Sequence, residues 1–384
     1  MSTKISIVNV KEYESVSQAV VEAIKLIENS FHFQFSDSNR ILLKPNLLTK
    51  KKDACTQPSF VEGVISYLKE KGIPIKNVSV GDSPGQTGYT ASDVAKEIGL
   101  FEICEKYGID IIDFESDVPL IQKIEGAIRL KEIRVAQAVK DCDILISLPR
   151  LKSHIEATMT GAMKNYWGII QGGLKAQYHL LGKTAQQFGE VLADNFSWVV
   201  KNKPKRLIVY DLQEIMEGRF GPGGGSMKQW DLILAGTDEV ALDVIALEIG
   251  KVKIKNVPHV KNAIKRNLGI GDLDDIEIVG MSLEEAKKRT PKFKVPGNRI
   301  TKFIAYMSGH IGYKIIKQVP NLIKKKCAKC GQCAEICPAK AIEFIEGNYP
   351  IFSRKTCISC LCCAELCPEN AIKAKSRGIG GIFS

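Results

Sequence analysis

The chain has 384 residues, 45% of them hydrophobic, and its 54 Lys and Arg against 43 Asp and Glu give a formal charge of +11. That length accommodates one large domain and a small one, and the composition is that of a folded globular chain. No stretch reaches the roughly 18 apolar residues of a membrane span, and no zinc finger, RNP-like pattern or sustained basic helix turns the basic surplus into a nucleic-acid signal.

The opening MSTKISIVNV reads as a first strand, over 5–10, rather than a signal sequence. Residues 15–29 carry apolar positions at helical spacing, and RILLKPN at 40–46 is a buried strand ending in polar residues. PSFVEGVISYLKEKG at 58–72 is a helix opened by Pro58 and stopped by Gly72. NVSVGDS at 77–83 is a strand, 90–108 one or two helices, IDIIDF at 109–114 a strand, 132–140 a helix and CDILISLP at 142–149 a strand. Further on, 183–200 predicts a long helix, 205–215 a strand, 230–250 a strand, turn and helix that Thr237 can cap, and 276–279 a last short strand. Apolar strands alternating with amphipathic helices predict an α/β fold, a large three-layer domain over 1–300 with a mostly parallel sheet. Residues 301–323 read as an aromatic, basic linker with helical character, interrupted by Gly309, Gly312 and Pro320. A membrane-surface or partner-docking helix is the sharper reading of that segment.

Two blocks end the chain. CAKCGQCAEICPAKAIEF begins at Cys327 and CISCLCCAELCPENAIKA at Cys357, each spaced C-x2-C-x2-C-x3-C-P. In two-cluster ferredoxins the fourth cysteine of each run ligates the other cluster. The expected sets are Cys327, Cys330, Cys333 and Cys367 for one 4Fe-4S cluster, and Cys357, Cys360, Cys363 and Cys337 for the other. Zinc does not require this doubled run with a proline after each fourth cysteine, and disulfides do not suit a reducing compartment. Cys362 falls outside the spacing and reads as a small buried residue. Residues 324–384 are therefore expected to form a small α+β ferredoxin domain carrying two 4Fe-4S clusters.

In open parallel sheets, sites form beyond the carboxyl ends of strands. Lys44, Pro45 and Asn46 follow one strand, Asp82 and Ser83 the next, and Arg150, Lys152 and His154 follow ILISLP. TMTGAMKNYWG at 158–168 adds Lys164 and Asn165, with Thr160, Gly161 and Ala162 small enough for a close backbone approach. The expected site is an anion pocket. Lys44, Lys152 and Lys164 hold a carboxylate or phosphate or stabilise enolate-like charge, and His154 donates or accepts a proton near neutral pH. Lys152, His154 and Lys164 are the candidate catalytic residues, and Lys44, Asn46, Asp82, Ser83, Asn165 and Asp243 the candidate substrate-binding residues. A metal on His154, His179 and Asp82 lacks compact ligand spacing. GRFGPGGGS at 218–226 lacks the P-loop pattern and reads as a flexible loop, with a substrate lid or phosphate nest as its alternative. Asp238 reads as a helix-terminus residue, and Tyr166 and Trp167 as core.

LLKPNLL at 42–48, VGDSPG at 80–85, LPRLKSH at 148–154, TGAMKNYWG at 160–168 and LAGTDEVALD at 234–243 resemble the family called domain of unknown function 362. Its members are described as iron–sulfur-binding proteins, and some carry this same C-terminal two-cluster unit. The resemblance spans about residues 5–280, and the ferredoxin likeness about 324–374. It implies no particular reaction. Its recurrent positions here are Lys44, Asn46, Asp82, Lys152, His154, Lys164, Asn165 and Asp243. The large domain is also distantly similar to the N-terminal part of nickel-dependent lactate racemases, but their histidine-rich segment is missing and no residue is carried over.

The expected function is an iron–sulfur oxidoreductase passing electrons from two clusters to a small anionic substrate in the α/β domain. The alternatives are a non-catalytic electron-transfer or cluster-assembly protein, or a nonredox ligase with a structural ferredoxin domain. No flavin or nicotinamide fingerprint is present, and a flavin or additional metal held by unmarked loops stays open. The expected partner is an electron donor or acceptor protein. The expected location is cytoplasmic, with a peripheral membrane position as the variant.

Overall fold

The computed structural model describes residues 3–85, 88–171, 174–182, 184–218, 225–296 and 318–376. Strands follow one another as β1 (Thr3–Asn9), β2 (Ile41–Lys44), β3 (Val78–Asp82), β4 (Asp110–Asp113), β5 (Pro119–Lys123), β6 (Glu132–Ala136), β7 (Ile144–Ser147), β8 (Arg150–His154), β9 (Thr158–Thr160), β10 (Arg206–Glu217), β11 (Ser226–Gly236) and β12 (Ile276–Gly280). Ten of them form one sheet in the order β12-β1-β11-β10-β7-β2-β3-β4, with β8 beside β10 and β9 beside β8. Pairing is parallel from β10 through β7, β2 and β3 to β4, and antiparallel at β1–β11, β10–β11 and β8–β9. β5 and β6 form a separate hairpin.

Strand alternation sends neighbouring side chains to opposite faces, and each face carries its own core. Ile41, Leu43, Ile144, Ile146, Leu207 and Val209 pack against the helices Val16–Lys25, Pro58–Glu70, Ala91–Ile98 and Leu100–Tyr107. Leu42, Leu145, Ile208 and Tyr210 pack against Ala185–Asn202, Glu239–Ile249 and Pro258–Lys265. These are the three layers of an α/β domain.

Several elements depart from the sequence reading. Residues 90–108 form two helices split at Gly99, the first opened by a Thr90–Asp93 capping box. The helix expected over 132–140 begins as β6, whose Ile133 and Val135 are buried between exposed Glu132 and Arg134, and only Gln137–Asp141 is helical. Asp238, not Thr237, caps Glu239–Ile249, accepting the Ala241 N–H at 2.9 Å. Arg150–His154 is a fully buried strand rather than a loop. Of the glycine-rich stretch, 219–224 lie outside the described residues; its flanks belong to β10 and β11.

Residues 297–317, most of the expected linker, also lie outside the described residues. Residues 318–322 are not linker. They form β13 (Gln318–Leu322), which pairs with the strand after the second cysteine block. β14 (Ile342–Glu343) and β15 (Ile351–Phe352) make one small hairpin, and β13 with β16 (Ile372–Ser376) makes the other antiparallel pair. The internal repeat is visible in the backbone. Lys329, Gly331 and Lys340 have positive φ, and so do Ser359, Leu361 and Asn370 at the same offset as the cysteines. Among the described residues no helix is long and apolar enough to cross a membrane.

Candidate active site

Lys44 ends β2 and Asp82 ends the adjacent parallel β3, so both stand at the carboxyl edge of the sheet. They pair with each other at 2.7 Å, both buried. Asp82 also accepts the Leu47 N–H at 2.6 Å and the Ser83 N–H at 2.8 Å, and Lys44 donates to the Pro45 carbonyl at 3.1 Å. Burial pushes the Lys44 ammonium down, and Asp82 partly offsets that. Lys44 is therefore a brace inside the edge, not the anion ligand expected of it. Gly168 packs on this pair so closely that a Cβ would meet Asp82 Oδ1 at 2.2 Å and Lys44 Nζ at 2.6 Å.

A chain of polar side chains runs outward from the edge. The Asn165 amide donates to the Lys44 carbonyl at 3.1 Å and to Ser147 Oγ at 2.9 Å, and its oxygen accepts from Asn46 at 3.2 Å. Asn46 in turn accepts from Lys152 Nζ at 2.7 Å, and Lys152 also donates to the Ala54 carbonyl at 2.6 Å. Burial brings the Lys152 ammonium down to about 7, with Arg150 and Lys164 repelling it further. Lys152 and His154 alternate with Ser153 on β8, and both line the same cavity.

That cavity encloses about 80 Å³ and gathers Asn46, Asp82, Ser83, Lys152, His154, Lys164 and Asn165 from the expected site. Its other wall is the second cysteine block and its neighbour: Cys362, Glu365, Leu366 and Ile336. The buried Lys164 ammonium makes no hydrogen bond among the described residues; burial lowers its pKa, opposed by Glu365 and Glu156. Thr160 Oγ1 is likewise buried without a partner.

His154 corrects an expectation. Its Nδ1 accepts the backbone N–H groups of Glu156 at 3.2 Å and Ala157 at 3.1 Å. The neutral ring therefore carries its proton on Nε2, 3.6 Å from Glu365. Burial and the Lys164 charge hold its pKa well below the usual range. His154 is a fixed hydrogen-bond donor rather than a group that gains and loses a proton near pH 7. Asp243 corrects another. It accepts the Ala162 N–H at 2.8 Å and the Met163 N–H at 3.1 Å, away from the cavity, and burial pushes it up to about 7. A Cβ on Gly161 would meet Asp243 Oδ1 at 2.1 Å. Asp243 thus holds the segment that carries Lys164 and does not line the ligand space.

Four further residues complete the site. Lys175 donates to the Ser83 carbonyl at 2.7 Å and to the Ser83 hydroxyl, which itself bonds Glu115. His179 Nδ1 meets Glu156 at 2.6 Å. Burial pulls His179 down, but the Glu156 charge and hydrogen bond outweigh it and its pKa is raised. His154 Nδ1 is taken by two backbone N–H groups, His179 Nδ1 by Glu156, and Asp82 by Lys44 and two backbone N–H groups, which leaves the three without a shared metal position.

In the small domain, Cys327, Cys330, Cys333 and Cys367 line one cavity, so the fourth cysteine of the second block crosses to the first. Cys337 lies within electrostatic reach of Cys357 and Cys360. The Ala341 N–H reaches Cys337 Sγ at 3.2 Å, and the Ala371 N–H reaches Cys367 Sγ at the same distance. Converging thiols with N–H groups aimed at sulfur suit iron–sulfur ligation. Lys51 of the large domain ties the two parts together through Asn370 Oδ1 at 2.7 Å and the Cys367 carbonyl at 3.2 Å.

Residues 41–248 match the family described as Domain of unknown function (DUF362). The chain belongs to that family. Residues 320–343 match the 4Fe-4S binding domain, which makes this member an iron–sulfur protein. It is 30% identical over 236 residues to a thylakoid-associated protein of Synechocystis sp., covering 60% of this chain and 68% of that one. Among solved structures, a Thermotoga maritima protein aligns with TM-score 0.36 and 12% identity over 58% of this chain and 56% of its own. The lactate racemase apoprotein of Thermoanaerobacterium thermosaccharolyticum aligns with TM-score 0.39 and 9% identity over 63% and 55%. The chain thus spans little more than half the length of either solved structure.

Proposed function

We propose that this protein is an oxidoreductase that uses two 4Fe-4S clusters to reduce a small anionic substrate held between its two domains. One cluster would be held by Cys327, Cys330, Cys333 and Cys367, the other by Cys357, Cys360, Cys363 and Cys337. The observation that carries this reading is the composition of one cavity. Lys152, His154 and Lys164 stand on one side of it, and Cys362 and Glu365, neighbours of the second cysteine set, stand on the other. Bound clusters supply one-electron chemistry.

The chain's own residues do the rest. Lys164, buried and without a partner among the described residues, takes the substrate's negative charge. Lys152, poised at about 7, is a second cation when an anion is present and a proton source as it titrates. His154 offers Nε2–H as a fixed donor, and Trp167, Ile336 and Leu366 exclude water. The cavity, about 80 Å³, suits a small anion such as a short carboxylate or a phosphate.

The reading places the protein in a reducing compartment, and the thylakoid-associated relative motivates checking for peripheral membrane contact. The test is anaerobic. Reduced, cluster-loaded protein is mixed with small carboxylates, phosphates and thioesters, and recovery of the cluster absorbance is followed. A compound that reoxidises the wild type but not Lys164→Met supports the reading. Reoxidation that ignores Lys164 across the panel favours the electron-transfer or cluster-assembly alternative.

A further inference from the structure

We propose that the face of the small domain over Cys327 and Cys330 is the docking surface for an acidic electron-carrier protein. The inference rests on iron–sulfur binding by this domain and is independent of the cavity chemistry.

The two cysteine blocks face different surroundings. Cys330 is exposed, whereas Cys363 is buried and its neighbours Cys362 and Glu365 turn to the inter-domain cavity. The first block is thus the solvent side. Lys324, Lys325 and Lys326 run directly into Cys327 and Lys329 lies within the block, all four exposed. Lys324 and Lys329 lie over the Tyr349 ring at 5.4 and 4.8 Å, which holds two of the charges in place. The next residue, Pro350, lines the cysteine cavity together with Lys329, so the patch and the ligand set are contiguous. Ile345 and Ile351 on the same hairpin are 72% and 67% exposed.

Exposed apolar side chains beside charged ones suit a transient protein interface; Glu343 and Glu346 flank Ile345 on that hairpin, so the positive charge of the patch is on the side of Lys324–Lys326 and Lys329. Among the described residues, Glu369 is the one acidic residue lining the cysteine cavity. The lysine rim therefore favours an acidic partner, steering it by charge and suppressing basic ones. An anionic membrane would feel the same charges. A carrier is the better fit because Lys329 lines the cavity of the exposed cysteine set, where a partner's redox centre must come close.

The experiment uses full-length, cluster-loaded protein under anaerobic conditions. Binding of a plant-type 2Fe-2S ferredoxin and a flavodoxin is measured at low and high salt, with cytochrome c as a basic control and phosphatidylglycerol vesicles as the membrane arm. Lys326→Glu with Lys329→Glu is compared with Lys261→Glu and Lys265→Glu, the same charge change on an exposed helix face of the large domain. The expected result is salt-sensitive binding of an acidic carrier, weakened about tenfold or more by the first pair and little by the second. Iron content and reduction by dithionite stay unchanged. Equal losses from both pairs, no loss from the first, or a wild type that binds neither carrier overturns the proposal. So does binding to the vesicles in place of a carrier.

Discussion

Replacing Lys152 by Met tests the electrostatics of the site directly. Lys152 is buried, and burial lowers its ammonium from 10.5 to about 7. At about 1.4 kcal/mol per unit, holding it charged below neutrality costs about 5 kcal/mol. Met removes that cost but leaves Asn46 Oδ1 and the Ala54 carbonyl without their donor, at about 1–3 kcal/mol each. The two effects nearly cancel in absolute stability, so the pH dependence carries the information. Below about pH 7 the folded and unfolded chains both keep the proton, and this residue adds no slope. Between about 7 and 10.5 the unfolded chain keeps a proton that the folded protein has released, so wild-type stability rises with pH. From about pH 7 to about pH 9 the wild type should gain about 2 kcal/mol on Lys152→Met. Melting temperatures of both proteins, at one scan rate and matched iron content, give the comparison. A difference that stays constant from about pH 6 to about pH 9 refutes a buried, half-titrated lysine.

Other expectations are simpler. Lys164→Met should abolish binding of small carboxylates or phosphates, read by calorimetry, while iron content and fold persist. His154→Gln should weaken that binding by removing the Nε2–H donor, yet leave its pH dependence near neutrality unmoved, because the ring stays neutral in the wild type. Cys362→Ser should keep full iron and sulfide content, whereas Cys363→Ser should lose part of both; iron loss from the Cys362 variant alone would reverse the ligand assignment. Asp243→Ala leaves two buried N–H groups unpaired and should lower stability by on the order of 3 kcal/mol in thermal unfolding, and lose anion binding without touching the ligand.

The strands and helices were legible where periodicity was clean. Ile41–Lys44 and Ile144–Ser147 are buried on every residue, and such runs read as central strands in any setting. β8 was not, because RLKSH looks like a solvated loop; only its pairing with β10 and β9 explains why four polar or charged residues, Arg150, Lys152, Ser153 and His154, are buried there. Lys152, His154 and Lys164 were found by their position after a strand and do share a cavity. Lys44 and Asp243 satisfied the same rule but are consumed by Asp82 and by backbone N–H groups, which the sequence alone does not reveal. Lys175 was missed because it sits on the short helix Leu174–Tyr178, with no strand end to flag it, and Glu156 because it lies in the turn between β8 and β9; the sequence offers His179 only as a metal candidate. The contribution of Cys362 and Glu365 depends on how the small domain sits on the large one, a long-range contact with no local signature.

The central claim is that a small anion binds between the lysines of the α/β domain and the second cysteine set. Pulsed electron paramagnetic resonance of the reduced, cluster-loaded protein with a carbon-13 carboxylate or a phosphate tests it most directly. The account predicts a hyperfine coupling from the labelled carbon or the phosphorus in the wild type, lost in Lys164→Met. A ligand shown by equilibrium dialysis to be bound, yet giving no coupling to the clusters, would contradict it.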